Sequence, residues 1–172
     1  ATATDNCNEY TITFSDAIVA GDCPHNYTIV RTWTATDICQ NASSCVQYIT
    51  VDDTEAPEWN LSCQLDITFN NVCPEDAEIS LNVGDEIDIF TSWFLGPNPI
   101  EPVAGCVFDN CTAPEDLIIR VVDKTKTGNS CYATLTITFV AEDECGNISA
   151  TFTCTYHVID NTAPVISCPA DV

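Results

Sequence analysis

The sequence predicts an all-β protein of tandem, disulfide-stapled antiparallel repeats, and three observations carry that expectation. A strand-like phrase occurs twice: TIVRTWTATDICQN followed by SCVQYITVDDTEAP, and TLTITFVAEDECGN followed by FTCTYHVIDNTAP. Its landmarks recur at a domain-sized period, Asp37 to Asp143 being 106 residues and Asp52 to Asp160 being 108. That is too long for a solenoid repeat and suits one all-β domain. Twelve cysteines are spread along the 172 residues, with no tight Cys-x-x-Cys pair to suggest zinc, so they imply bridges formed in an oxidising, extracellular setting.

The elements follow in order. Residues 27–35 alternate: Tyr27, Ile29, Arg31, Trp33 and Ala35 share one face, and Thr28, Val30, Thr32 and Thr34 the other. Residues 133–141 repeat the pattern with Ala133, Leu135, Ile137, Phe139 and Ala141 on the apolar face. Period-two alternation of this kind marks a strand with one core face and one solvent face. Arg31 stands where the second copy has Ile137, and it is expected to snorkel past Trp33 or stack on it. Each strand ends in an acidic cysteine turn, Asp37-Ile38-Cys39-Gln40-Asn41 or Asp143-Glu144-Cys145-Gly146-Asn147, whose Gly and Asn suit left-handed geometry. Between the copies, strands are expected at Leu65–Phe69, Ile79–Val83 and Ile87–Phe90, then a looser Pro-rich piece through Trp93 and Phe94. Pro114 begins a short helical turn at most, before a strand from Ile118.

The local bridge guesses are Cys39–Cys45 and Cys145–Cys154. The shared Asp-Asn-Cys at 5–7 and 109–111 supports Cys7–Cys23 and Cys111–Cys131. Cys63, Cys73, Cys106 and Cys168 remain, with Cys63–Cys73 and Cys63–Cys106 both open. The joints divide the chain into 1–52, the C-terminal part of one β repeat or a small β domain; 53–160, a full repeat; and 161–172, the start of the next.

Net charge is −22, from 26 acidic and four basic residues. Nucleic acid and anionic membrane surfaces are therefore excluded as expected partners, and no apolar run is long enough to span a bilayer. The acidity instead fits divalent cations. Asp52, Asp53, Asp160 and Asn161 cluster oxygen ligands at the joints, and Asp37 and Asp143 end neighbouring strands. Calcium takes six to eight such oxygens, so the cofactor expectation is calcium stiffening the joints. No Gly-x-Ser-x-Gly elbow, His-Glu-x-x-His or phosphate loop occurs, and the two histidines, His25 and His157, stand by no candidate nucleophile. The chain is expected not to be an enzyme. Trp93 and Phe94, in the irregular 84–105 region, are the residues for an alternative reading as a carbohydrate- or surface-binding module.

RTWTATDICQN, CVQYITVDDTEAP and DNTAPVISCPADV together resemble the Cys-containing HYR-like, immunoglobulin-like repeats of large bacterial surface proteins. They look most like those of Bacteroidetes adhesins of the SprB gliding-motility type. The resemblance covers most of 27–63 and 132–172 and is weak across 64–105. It implies immunoglobulin-like β-sandwiches in tandem and a non-enzymatic stalk or adhesin segment at the cell surface. The implied partners are neighbouring repeats of the same polypeptide and a surface polysaccharide or other cell-surface component. The chain departs from the pattern at Gln40, where Gly is usual, and at Glu55, an extra joint residue. The joints also resemble, more loosely, the Asp-Asn-Ala-Pro joints of cadherins, an analogy that picks out Asp52, Asp53, Asp160 and Asn161 as calcium ligands.

Overall fold

The computed structural model describes residues 1–7, 9–63, 66–89, 92–95, 98–100 and 105–168. It is all-β and divides into two compact units, Ala1–Glu55 with Glu144–Gly146, and Ala56–Asp143 with Asn147–Val172.

The first unit holds three strands among its described residues, β1 (Tyr10–Ala20), β2 (Tyr27–Asp37) and β3 (Ala42–Val51), in one antiparallel sheet ordered β1-β2-β3. The register pairs Phe14 with Trp33, Asp16 with Arg31 and Ile18 with Ile29, so these six share a face. Arg31 takes both roles its position invites. Nε and Nη2 donate to the two Asp16 carboxylate oxygens at 2.8 and 2.7 Å, while the guanidinium lies 4.2 Å from the Phe14 ring centroid and 5.4 Å from that of Trp33. The same face leaves Phe14 55% and Ile18 72% exposed.

In the second unit β4 (Glu58–Trp59) pairs with β9 (Val107–Phe108), and β7 (Trp93–Leu95) with β8 (Asn98–Ile100). Its main sheet runs β5-β12-β11-β10-β6, from β5 (Asp66–Asn70), β6 (Glu86–Ile87), β10 (Ile118–Gly128), β11 (Tyr132–Glu142) and β12 (Phe152–Ile159). All neighbours in it are antiparallel except β5 and β12, which run parallel. A short 3-10 turn at Pro114–Asp116 precedes β10. The alternating faces read for 133–141 emerge as expected, Ala133, Leu135, Ile137, Phe139 and Ala141 being buried and joined from β12 by Phe152, Cys154, Tyr156 and Val158, whereas β2 is half-buried on both faces, so the core face expected for 27–35 does not form. Ala77, Ile79, Leu81, Ile87, Ile89, Leu95, Ile100, Val107, Leu117, Ile119 and Val121 complete the same core. Trp59 stacks on Phe152 at 4.6 Å, and its indole N–H donates to Ser149 Oγ at 2.9 Å.

Two expected strands take a different form. Ile79–Val83 makes only an isolated bridge, Ile79 to Leu95, and from Ile87–Phe90 only Ile87 joins a strand, Phe90 lying outside the described residues. The cause is a tight turn, in which Asp85 N–H donates to Asn82 O at 3.0 Å and Asp85 Oδ2 accepts from Asn82 N–H at 2.8 Å, with Gly84 inside it at φ 94°. Lysine ammonium groups substitute for a ladder. Lys124 Nζ donates to Ile79 O at 2.8 Å and Leu81 O at 2.9 Å, and Lys126 Nζ to Ala77 O at 2.8 Å and Glu75 O at 3.3 Å. With Arg120 bridging Glu86 and Glu142, all four basic side chains are engaged within the chain.

Candidate functional site

The two copies of the acidic cysteine turn are built alike. In the first, Asp37 Oδ1 accepts from Asn41 N–H and Asp37 Oδ2 from Asn41 Nδ2, each at 2.8 Å, while Asp37 N–H donates to Asn41 O at 3.0 Å. In the second, Asp143 and Asn147 make the same three bonds at 2.8, 2.8 and 3.2 Å. The residue after the cysteine is left-handed in both, Gln40 at φ 71° and Gly146 at φ 84°. Gln40 therefore takes the conformation that Gly146 takes in the second copy, at the strain a side chain brings there. The side-chain bond from Asn41, with its backbone bond second, holds the Asp37 carboxyl below the ordinary value. The Asp-Asn-Cys clusters are Asx turns that present the cysteine: Asp5 Oδ2 accepts from Cys7 N–H at 2.8 Å, and Asp109 Oδ1 from Cys111 and Thr112 N–H at 2.9 and 2.7 Å.

The strands set where the expected cation ligands lie. Asp37 ends β2, and Asp52 follows β3 at the far end of the same hairpin. Asp143 follows β11, and Asp160 and Asn161 follow β12 at that hairpin's far end. A strand of about ten residues spans roughly 33 Å, so Asp37 does not meet Asp52, nor Asp143 meet Asp160, within a hairpin. Asp53 is buried, its N–H donating to Asn26 Oδ1 at 2.7 Å. Asp160 Oδ1 accepts from Thr162 N–H, and Asn161 Oδ1 from Asn71 N–H. Within the second unit, Asp143 comes within 4.8 Å, carboxylate oxygen to carboxylate oxygen, of Asp109, a residue not counted among the expected ligands. Asp143 is 4% exposed, and Asp109 Oδ2 is buried and accepts no hydrogen bond. The repeated Asp-Asn-Cys was the signal in the sequence that marked Asp109.

The disulfides correct the local pairing. Cys23 is bonded to Cys145, and Cys63 to Cys106. Neither Cys23 nor Cys145 is then open to Cys7 or Cys154. The expected pairs also fail on distance, because a disulfide holds its Cα atoms within about 7 Å. Cys7 and Cys23 lie off opposite ends of the 11-residue β1. Cys111 lies two residues from Asp109, by the Asp143 end of β11, and Cys131 lies just before the other end. Cys45 faces Trp33 three register positions inside the innermost pair, Thr36 with Ala42, putting it about 10 Å from the turn that carries Cys39. Cys154 faces Ile137 in mid-strand, away from the turn that carries Cys145. Of the two options for Cys63, the chain takes Cys106. Around the Cys23–Cys145 bond, His25 Nε2 lies 3.2 Å from Glu144 Oε2, and Asn26 Nδ2 donates to Asp22 Oδ1 at 2.8 Å.

His157 sits between Thr134 Oγ1 at 3.1 Å and Asp66 Oδ1 at 3.2 Å. Three Asn-x-Ser/Thr triplets spend their amide nitrogen on an aspartate: Asn26 on Asp22, Asn41 on Asp37 and Asn147 on Asp143. These asparagines act as turn-forming groups. Trp93 and Phe94 lie in β7, and their side chains, on which the binding-module reading depends, fall outside the described residues. No helix among the described residues is long and apolar enough to cross a membrane. No protein-family model and no curated protein matches the chain.

Proposed function

We propose that this chain is a non-enzymatic, load-bearing segment of an extracellular stalk or adhesin, made of immunoglobulin-like repeats in tandem. The observation that carries the reading is the Cys23–Cys145 bond, which links residues 122 apart and encloses the Cys63–Cys106 bridge. Under end-to-end load, force enters at the termini, passes through that bond and bypasses everything between. Only the segments outside it can be drawn out. The doubled hairpin, the matched acidic turns and the cysteine-rich, acidic composition support the same reading. Asp109 and Asp143 are the pair at which calcium would relieve carboxylate repulsion and brace the second unit.

Single-molecule stretching from the two termini tests it. Reduction should lengthen the fully unfolded chain by about 43 nm, the reach of the 122 enclosed residues at roughly 3.5 Å each. Equal extensions for oxidised and reduced protein would overturn the proposal.

A further inference from the structure

Cys39 and Cys131 carry free, exposed thiols, and each occupies the place in its own repeat that a bonded cysteine occupies in the other. In each repeat three antiparallel strands are joined by two turns: β1-β2-β3 in the first copy and β10-β11-β12 in the second. Cys23 lies in the first turn of the first copy and is bonded to Cys145, in the second turn of the second copy. Cys131 lies in the first turn of the second copy, between Gly128 and Tyr132. Cys39 lies in the second turn of the first copy. We propose that Cys131 and Cys39 are the two halves of the same bond, completed by adjacent copies: Cys131 takes the second-turn cysteine of a following copy, and Cys39 the first-turn cysteine of a preceding one. A second copy of this chain supplies both.

The turn geometry argues for it independently of the order of cysteines. The three Asp–Asn bonds that hold the Cys145 turn are reproduced around Cys39 within 0.2 Å, and the residue after the cysteine is left-handed in both. Cys39 is thus presented as its bonded counterpart is. Cys131 is also fixed in place, its N–H donating to Asn129 Oδ1 at 2.8 Å and its carbonyl accepting from Asp160 N–H at 3.0 Å. The first-turn loop is shorter in the second copy, Gly128 to Tyr132 against Ala20 to Tyr27, so Cys131 stands closer to its strand than Cys23 does. Each new bond joins Cys131 Sγ to Cys39 Sγ, takes one hydrogen from each thiol and passes two electrons to a small disulfide oxidant, which leaves as two thiols. Because the bond joins different patches on the two copies, each singly linked copy keeps one unused cysteine of the pair, through which the linkage extends to a further copy.

The inference rests on the tandem-repeat reading, and the test separates the two. Purified C39S, which keeps Cys131, and C131S, which keeps Cys39, are incubated alone and mixed in a glutathione redox buffer, then digested without reduction and mapped by mass. The expected result is a disulfide-linked dimer in the mixture, carrying a Cys131–Cys39 peptide, with that dimer lost in either variant alone and the parent forming longer chains. C39A replaces C39S if serine disturbs the turn. A mixture without the Cys131–Cys39 peptide, or with linkage spread over Cys7, Cys45, Cys73 and Cys168, overturns the inference. The same digest reports Cys23–Cys145. Its presence with Cys131–Cys39 absent sinks this inference alone, and its absence sinks the repeat staple as well.

Discussion

Replacing Lys124 by methionine should destabilise the second unit far more than a surface lysine normally would. The substitution keeps most of the aliphatic stem and removes the ammonium that donates to Ile79 O and Leu81 O. Both bonds are part-buried, and the carbonyls belong to a segment whose side chains, Ile79 and Leu81, are core. A hydrogen bond to a charged group contributes about 1.5–3 kcal/mol net, and a buried carbonyl left unpaired costs about as much. Partial rehydration of the two carbonyls places the expected loss at about 3–5 kcal/mol. With a urea slope of about 2 kcal/mol/M, the midpoint should fall by about 1.5–2.5 M. Lys126 is the internal control. It reaches Ala77 O and, at 3.3 Å, Glu75 O, from an exposed position, so K126M should cost about 1 kcal/mol. Equilibrium urea unfolding of oxidised parent, K124M and K126M decides the matter. A K124M loss under 1 kcal/mol, or one equal to that of K126M, would refute the idea that ammonium groups replace a strand ladder there.

Two further outcomes follow from the acidic groups. If Asp109 and Asp143 hold calcium with the Kd of about 10⁻⁴ M seen in weak extracellular sites, 10 mM calcium adds about 2.7 kcal/mol of stability; thermal unfolding with calcium and with chelator should show the rise, and D109N should abolish it. In acid, Asp16 is held below its ordinary value by its hydrogen bond to Arg31, opposed by desolvation and assisted by the same cation's charge. A lowered folded value means its contribution is complete above the ordinary carboxylate range and is lost as pH falls through the folded value. Carboxyl NMR titration should find Asp16 and Asp37 both low, with R31M returning Asp16 alone toward 3.8, the ordinary value. A low Asp16 that persists in R31M would contradict the assignment of cause.

The strands around the repeated phrase were legible because two faces of unlike polarity alternate there without interruption. Ala133 to Ala141 is read as a core face from the sequence and buried as one in the fold. The intervening 64–105 was less legible. Its apolar residues at 79, 81, 87 and 89 alternate as a strand would, and they are buried as a strand's inner face would be. The carbonyls of Ile79 and Leu81, however, accept from the Lys124 side chain, 45 and 43 residues away in sequence, while Ile87 pairs with Ile119 in the sheet. Hydropathy periodicity reports burial of side chains and carries no information about which group satisfies a carbonyl.

The cysteines show the same division. Sequence by itself determined that this is an all-β chain of repeated strands, with cysteine-bearing acidic turns at a period of about 107 residues, since these follow from local alternation and turn chemistry. It also marked Asp37 and Asp143 as the first residues of the acidic cysteine turns. Pairing was beyond it, because short spacing along a hairpin is long distance once each intervening residue adds about 3.3 Å of strand. Only the tertiary structure decided that Cys23 meets Cys145, 122 positions on, and that Asp109 meets Asp143. Bridges and ligand sets are contacts between turns, and which turns come together is fixed by strand direction, register and sheet order.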